Sequence, residues 1–592
     1  MTRLRTLALA SLLACACSGG TGGKKGALFA KDWQSDGGVS IGKLEERLRG
    51  AQRAPDANIA VGVTSNGLAA HNLSSNARWT YQAKVETVPQ IAGELVLFSG
   101  DGDVVALDAK SGRVVWKVSS KGRQLRGAGD DGAFTILSLG AEKAGESLLM
   151  VVDRQGEIRL QAEPGVEIGR PTALGGVGFV PWSDQYVSAI DLKSGDEVAR
   201  LLLRDLVSHA FKSDKDLYFG EKAVVRFDDK IRLADNAQAT RAELEPAELP
   251  GNPRWLTSGI ELPLLDESAR PKIRIYATPT TEGGQPHFTN HAYLATYFKI
   301  AYGLAEKGGK LAWAKALPGD AIGGAAAATG FVVCDASGNV SELDAKGGLA
   351  RASALGDKLI ACNVQASSYR VAPGKAVPVA EQLAQALLAL EPNMAAAQGF
   401  LLAEIAKLED PMVTKVLIDL SSSGRLPSEQ RAEARKLLST RRTGVEHMLS
   451  ALERHYDFVS GELPPPVGPL SDALAALGEG RAAPALARHL NDPANSIDDV
   501  ERAARALGKL ATTTEYRELR TFFALYRATA DDPGLVSAVA AVAGALLRVG
   551  AEDGRALVER AATDPLTQPD VRRAISALLP EPQPQAHTAE AK

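Results

Sequence analysis

Two histidine pairs are the first candidates for metal chemistry in this 592-residue sequence. His287 and His291 are four residues apart, but no glutamate follows the first histidine as in the HExxH zinc motif, and Pro286 indicates a loop. His447 and His455 are eight residues apart on one predicted helix. That spacing separates them by about 12 Å along the helix axis, too far for a shared ion. We therefore predict surface histidines and no metal site.

Two glycine-rich stretches are candidates for binding a ligand. Residues 127–132, GAGDDG, match the GxGxxG pattern. They precede a predicted strand, whereas the dinucleotide fingerprint opens a helix, so we interpret them as a turn between two units of sheet. Residues 100–103, GDGD, lack the rest of a calcium loop and are more simply a hairpin turn. No catalytic or cofactor-binding residue, and no cofactor, is predicted from either stretch.

The four cysteines fall into two groups. Cys334 and Cys362 stand on separate predicted strands. In an oxidising compartment they are a candidate disulfide, which requires their Cα atoms to lie within about 7 Å of each other. The alternative is two buried thiols that pack like small apolar residues. The sequence leaves both interpretations open.

The other two cysteines, Cys15 and Cys17, close the N-terminal segment MTRLRTLALASLLACAC. Its basic start and short apolar run are typical of a secretory signal, and the run is too short to span a membrane. Residues 12–15, LLAC, resemble the lipobox of bacterial lipoproteins. We predict removal of residues 1–14 and lipidation of Cys15, with Cys17 as a second frame. A plain signal peptide with incidental cysteines is the alternative.

The lipoprotein resemblance also implies a location. Because no aspartate follows either cysteine, the resemblance implies the outer membrane. We expect anchoring on its periplasmic face, with the cell surface as the alternative. Residues 15–56 would form a tether and N-terminal segment. A net charge of -4 with no broad basic stretch argues against nucleic acid as a partner.

One pattern recurs seven times between residues 69 and 354: the end of a strand, a polar turn and a new strand, as in ALDAKSGRVVWKV from Ala106. An acidic or amide side chain at each turn can bond backbone amides two residues on. The spacings are 36, 45, 38, 44, 71 and 38 residues, and a period near 40 made of short strands is typical of propeller blades. The turn residues are Asn72, Asp108, Asp153, Asp191, Asp235, Glu306 and Asp344.

The longer stretch VLFSGDGDVVALDAKSGRVVWKV resembles the repeat of the PQQ-like, quinoprotein-type propellers. That family includes quinone-dependent dehydrogenases and the non-enzymatic lipoprotein of the outer-membrane β-barrel assembly machinery. The resemblance implies an all-β propeller of about seven four-stranded blades over residues 57–371. Trp79, Trp116 and Trp313 fall at the same place in their repeats, where they are expected to pack between blades.

Blade one contains only about three predicted strands, and residues 358–371 form an unassigned strand after the seventh repeat. We predict that this strand returns to complete blade one and closes the ring, which removes exposed sheet edges. The 71-residue spacing contains an insertion, residues 263–291, that we interpret as a loop on one face of the ring.

After residue 371 the composition changes to alanine, leucine, glutamate and arginine at helical spacing, with Asp-Pro pairs at 410, 492, 532 and 564. Residues 372–579 resemble a HEAT-like α-solenoid. Residues 580–592 are polar and proline-containing, and we predict a disordered tail.

These features predict a multidomain, non-catalytic scaffold in the envelope. Quinone-dependent dehydrogenases of the resembling family carry adjacent paired cysteines and a calcium-bound acidic set, and neither can be placed on this sequence. The predicted partners are envelope proteins, including outer-membrane assembly components, and the membrane itself through the lipid. A quinone-dependent periplasmic dehydrogenase and a scaffold of a secretion, motility or cell-wall complex are the alternatives.

Overall fold

The computed structural model describes residues 28–30, 41–51, 55–141, 146–183, 185–203, 207–213, 216–221, 224–227, 240–241, 274–276, 279–282, 285–306, 310–356, 358–454 and 464–579. Apart from one N-terminal helix, the described chain is sheet as far as Gln365 and helical from Val379 onward. This division confirms the predicted propeller followed by a helical region.

Seven of the eight sheets in the described residues are blades of the propeller and follow one another along the chain; the eighth is a two-stranded hairpin. Blade five has three strands in the described residues and the others have at least four. Blades one to three comprise Ile59–Thr64, Gly67–Asn72, Arg78–Gln82 and Ala361–Gln365; Gln90–Ala92, Leu95–Gly100, Asp103–Asp108 and Val114–Ser119; and Gln124–Asp130, Phe134–Gly140, Ser147–Asp153 and Ile158–Ala162.

The remaining blades are built in the same strand order. Blades four and five comprise Thr172–Leu174, Val177–Trp182, Tyr186–Asp191, Glu197–Leu202 and the short Thr240–Arg241; and Val207–Ser213, Asp216–Glu221 and Val224–Phe227. Blades six and seven comprise Arg274–Tyr276, Ala292–Tyr297, Ile300–Ala305 and Leu311–Ala316; and Ala321–Ala327, Gly330–Asp335, Asn339–Asp344 and Leu349–Ala354.

The central strands of a blade are apolar on both faces where the blade is packed between two others, as blade two is. All six residues of Leu95–Gly100 are buried. Val96 and Phe98 pack on blade one, and the alternate Leu95 and Leu97 pack on blade three. Equivalent apolar clusters join blades three to four, four to five, six to seven and seven to one.

The ring closes at blade one as predicted. The strand Ala361–Gln365, hereafter the closing strand, pairs antiparallel with Ile59–Val63. It supplies the fourth strand that the N-terminal residues of blade one lack. Side chains reinforce the pairing, since the Ala57 amide donates to Gln365 Oε1 at 3.0 Å. The two ends of the propeller are therefore joined through one sheet.

Blade four holds the N-terminal segment. Phe29 lies edge-on to Trp182, with ring centroids 5.4 Å apart, and its amide donates to Glu197 Oε2. In the N-terminal helix Ile41–Arg49, Leu44 packs in the core between blades four and five, and Arg47 pairs with Asp191 at 2.7 Å. Part of the predicted tether region thus lies against the propeller.

The described residues contain thirteen α-helices. Their bounds are α1 Ile41–Arg49, α2 Val379–Ala389, α3 Ala395–Ala406, α4 Pro411–Ser421, α5 Ser428–Ser439, α6 Val445–Leu452, α7 Val467–Leu477, α8 Ala483–His489, α9 Ile497–Leu510, α10 Tyr516–Tyr526, α11 Pro533–Val549, α12 Ala551–Thr563 and α13 Pro569–Ser576. One apolar core runs from α2 to α13. None of these helices is both long and apolar enough to cross a membrane.

The Asp-Pro pairs mark helix boundaries. Asp410 and Asp532 are the N-caps of α4 and α11, where their carboxylates accept bonds from the Met412 and Gly534 amides at 2.8 Å. The proline that follows each aspartate occupies the first helical turn, which needs no amide donor.

Two predictions about irregular segments are wrong. The described part of residues 263–291 is not only a loop, because it contains the first strand of blade six and a hairpin, Pro279–Glu282 with Gln285–Phe288. Residues 127–130 of the GxGxxG stretch belong to the first strand of blade three, not to a turn between blades. Glycine is required there because a Cβ on Gly129 would lie 2.5 Å from the Thr172 Cα of blade four.

Blade six is covered differently from the other blades. Its Tyr302 occupies the register position of Val105 in blade two, and Val105 packs on the preceding blade. In blade six that face, with Tyr293 and Leu304, joins the core of the helical region instead. Among the described residues, no apolar cluster joins blades five and six. The helices therefore occupy a surface that elsewhere belongs to the neighbouring blade.

Candidate functional site

The predicted turn residues stabilise the hairpins of their blades. The carboxylate or amide oxygens of Asn72, Asp108 and Asp344 accept bonds from the backbone amides of Ser75, Ser111 and Lys346, each at 2.8 Å. Asp153 and Asp191 bond the Gln155 and Ser194 amides in the same way. Each of these side chains therefore bonds the backbone of its own turn.

The other two predicted turn residues, Asp235 and Glu306, are not seen in such a turn. Asp235 lies outside the described residues. Glu306 is not the turn residue of blade six: the Ala305 amide donates to the Lys310 carbonyl as the Asp108 amide donates to that of Arg113, so Ala305 holds the equivalent position. The buried Glu306 carboxylate instead accepts from the Phe288 amide at 2.9 Å and lies 3.1 Å from His291 Nδ1.

The three tryptophans lie on the last strands of their blades and contact the next blade. Trp79 Nε1 donates to the Ala109 carbonyl at 2.9 Å, and Trp313 Nε1 donates to that of Ala345 at 3.0 Å. A Cβ on the next-blade glycine, Gly112 or Gly347, would collide with these rings. Trp116 packs between blades two and three, but its Nε1 has no acceptor within the described structure.

Cys334 and Cys362 form a disulfide, with Cα atoms 6.4 Å apart. The bond links the second strand of blade seven to the closing strand. Both residues are buried in the apolar cluster between blades seven and one. The lipidation candidates Cys15 and Cys17 lie outside the described residues.

The described residues include only part of each histidine pair. His447 lies in α6, which ends at Leu452, so the helix predicted to carry both histidines stops before His455; that residue is not described. His291 is bonded to Glu306, and His287 lies in the hairpin strand Gln285–Phe288. No cluster of three or more potential metal ligands occurs in the described part of the chain.

Burial shifts the pKa values of three groups on or beside the first strands of blades three to five, raising that of Asp130 and lowering those of Arg170 and His209. Burial lowers the pKa of His209 to about 4, and the nearby Arg170 adds to the shift. His209 Nδ1 is bonded to Ser208 at 2.6 Å, but an imidazole with so low a pKa is a weak base at neutral pH. Burial raises the pKa of the Asp130 carboxyl, which Arg154 opposes from 2.7 Å.

A groove that no sequence motif predicted lies at the junction of blade seven, the linker and α2. The groove has a volume of about 880 Å³ and is bordered by the exposed cations Lys346, Arg370 and Lys375. Linker residues 372–377 form one wall, and Gln382 of α2 lines the interior. The cations come from two segments, a turn of blade seven and the stretch between the closing strand and α2, so the approach of Lys346 to the other two has no linear signature in the sequence.

Comparison with known proteins supports the propeller assignment. A family model described as outer membrane protein assembly factor BamB matches residues 30–134 and 100–235, from the N-terminal segment into blade five. Together with the sheets described above, this match supports a PQQ-like β-propeller. No curated protein sequence matches the chain.

Solved structures similar to this chain include BamB from Moraxella catarrhalis, with 15% identity over 53% of this chain and 90% of that chain and a TM-score of 0.28. Apo AztD from Citrobacter koseri has 10% identity over 51% and 82%, with a TM-score of 0.28. The dihydro-heme d1 dehydrogenase NirN in complex with DHE has 15% identity over 52% and 65%, with a TM-score of 0.31.

Proposed function

We propose that this chain is a non-catalytic, lipid-anchored scaffold of the bacterial envelope that binds protein partners through its propeller and helical surfaces. The observation that carries the proposal is the docking of the helical region on blade six. This docking joins a propeller and a helical repeat region into one continuous surface, and both kinds of module characteristically bind proteins. We further propose that residues 372–579 are a HEAT-like solenoid.

Outer-membrane protein assembly is the role we favour. The family model that matches residues 30–235 is described as an assembly factor of that kind. The bonded pair Cys334–Cys362 joins two blades, an arrangement unlike the adjacent cysteines of quinone-dependent dehydrogenases. Because a fold by itself does not determine a function, the partner must be tested directly.

Crosslinking in intact membranes followed by affinity purification is the decisive experiment. We expect recovery of outer-membrane barrel-assembly components with the full-length protein. Recovery of a secretion, motility or cell-wall complex in their place would contradict the assembly role and support a different scaffold. Dye-linked oxidation of an alcohol or sugar by protein supplied with quinone and calcium would contradict the non-catalytic role.

The lipid anchor can be tested separately through Cys15 and Cys17. The double substitution Cys15→Ser with Cys17→Ser should release the protein into the soluble envelope fraction, because neither cysteine then carries a lipid. One of the two single substitutions should leave it in the membrane fraction and so identify the unmodified cysteine. Membrane retention of the double variant would show that another element holds the protein there.

A further inference from the structure

The groove beside the linker presents an excess of positive charge. No ion pair joins Lys346, Arg370 or Lys375 to an acidic side chain within the described structure, and all three side chains are exposed. Asp344 also borders the groove, but its carboxylate accepts bonds from the backbone amides of Lys346, Gly348 and Gly374 at 2.8 Å. That carboxylate is therefore already occupied by the turn and the linker. The charge of the groove rim favours an anionic ligand.

The interior of the groove contains a hydrogen-bond acceptor without a donor. Gln382 is 5% exposed, and its Nε2 donates to the Val377 carbonyl at 2.9 Å and the Lys346 carbonyl at 3.3 Å. Its Oε1 has no partner in the described part of the protein. Buried acceptors are normally satisfied, so an unpaired amide oxygen on a residue that lines a groove points to a ligand N–H group as its missing donor.

The groove also has a partly apolar wall. Val371, the linker residue Pro373 and Val379 at the start of α2 give it apolar surface. The linker has no regular secondary structure between the closing strand and α2. The volume of about 880 Å³ is within the range of ligand-binding clefts.

We propose that this groove binds an extended peptide segment of a protein partner, one that alternates acidic with apolar residues. The acidic side chains pair with Lys346, Arg370 and Lys375, a backbone N–H of the peptide donates to Gln382 Oε1, and the apolar side chains cover the linker wall. This inference rests on the proposed function only in assigning the peptide to an envelope protein.

Fluorescence anisotropy with the full chain tests the proposal. The probe is a short fluorescein-labelled peptide that alternates leucine with aspartate or glutamate, and a second probe carries lysine in place of each acid. We expect saturable binding of the acidic probe alone. The double variant Lys346→Glu with Lys375→Glu should weaken it about tenfold or more, because two attractive charges become repulsive.

Two controls separate the groove from general charge effects. Lys117→Glu with Lys509→Glu makes the same change in net charge at exposed positions elsewhere and should leave the affinity unchanged. Gln382→Leu removes the unpaired acceptor and should weaken binding about threefold or more. Because it also removes the Nε2 bonds to the Val377 and Lys346 carbonyls, it should lower the melting temperature, and an unchanged circular dichroism spectrum at the assay temperature shows that the variant is folded.

Absence of saturable binding to the wild-type chain would overturn the proposal, as would equal weakening by both double variants. Competition by phosphatidylglycerol vesicles that requires Lys346 and Lys375 would assign the surface to a membrane and also overturn it. Because these measurements use purified protein, failure of the peptide to bind is distinguishable from failure to recover assembly components from membranes.

Discussion

The propeller has two junctions that sequence repeats alone do not specify, and they are built in different ways. Blade seven meets blade one through a strand in register, a disulfide and a buried polar network. Blade six meets the helical region through side chains, among them Tyr302 and Phe400, whose ring centroids lie 6.1 Å apart. The contacts at the first junction are directional, because they include backbone hydrogen bonds and a covalent bond. The contacts at the second junction depend mainly on the apolar area that they bury.

Polar groups at the two junctions show the same contrast. Near the closing strand, the Tyr369 hydroxyl donates to Glu342 Oε2 at 2.8 Å and accepts from Arg351 Nη2 at 3.2 Å. At the helical junction, the buried hydroxyls of Tyr293 and Tyr302 have no partner within the described residues. Backbone pairing and satisfied polar groups favour one geometry, so the first junction is expected to be the more specific of the two.

Chain truncation should produce the largest difference between the junctions. A chain that ends at Gly356 loses the closing strand, the disulfide and the helices, and exposes a sheet edge in blade one. We expect it to aggregate, because an exposed sheet edge pairs with other chains. The stabilising free energy lost with the closing strand and its contacts is comparable with the roughly 5–15 kcal/mol that stabilises a typical domain. Light scattering after size-exclusion chromatography is the measurement.

A chain that ends at Gly374 is the matched comparison, since it keeps the closing strand and loses only the helices. We expect it to fold but to self-associate reversibly and bind a hydrophobic dye, because the face of blade six with Tyr293 and Tyr302 becomes exposed. A monomeric, dye-negative product would show that the helices contribute little to covering blade six. Equal solubility of both truncated chains would remove the proposed difference between the junctions.

The disulfide gives the next largest effect. Replacing both cysteines, Cys334→Ala with Cys362→Ala, should lower the free energy of unfolding by about 2–4 kcal/mol, because the bond closes a loop of sequence separation 28 that the unfolded chain otherwise leaves open. Denaturant titration measures this loss.

Reduction provides the control for the disulfide. It should destabilise the wild-type chain by a similar amount and leave the double variant unchanged. An unchanged unfolding free energy in the double variant would mean that strand pairing alone fixes the closing strand.

Local chemistry explains what the sequence predicted well. Asp108 and Asp344 bond amides within four residues, so their turns are visible in the linear repeat. The closing strand was predictable because blade one visibly lacked a strand. Glu306 was misplaced by one residue because an acidic residue follows the turn position that Ala305 occupies.

Long-range packing explains what the sequence did not reveal. A blade face that contacts helices is as apolar as one that contacts another blade, so Tyr293 and Tyr302 carried no signal of their partner. The groove cations Lys346, Arg370 and Lys375 meet only after blade seven and the linker have folded together. Lipidation of Cys15 or Cys17 and the HEAT-like assignment stay predictions.

The smallest predicted effect compares two tyrosine hydroxyls directly. Tyr369→Phe should lower the free energy of unfolding by about 0.5–1.5 kcal/mol, because it removes a bond to Glu342 and leaves that buried carboxylate with one donor fewer. Tyr302→Phe should be neutral or stabilising by up to about 1 kcal/mol, since it removes a buried hydroxyl that has no partner in the described residues.

Neutral pH is the right condition for the tyrosine comparison. Burial, helped by the Glu342 carboxylate, raises the pKa of Tyr369 to about 12, and burial also raises the pKa of Tyr302. Both phenols are therefore protonated well above pH 7, and any stability that Tyr369 provides should be retained below about pH 10 and lost as the pH approaches 12. If the two Phe variants instead lose equal stability in denaturant titrations, the Tyr302 hydroxyl has a partner at the helical junction, and the polar contrast between the two junctions disappears.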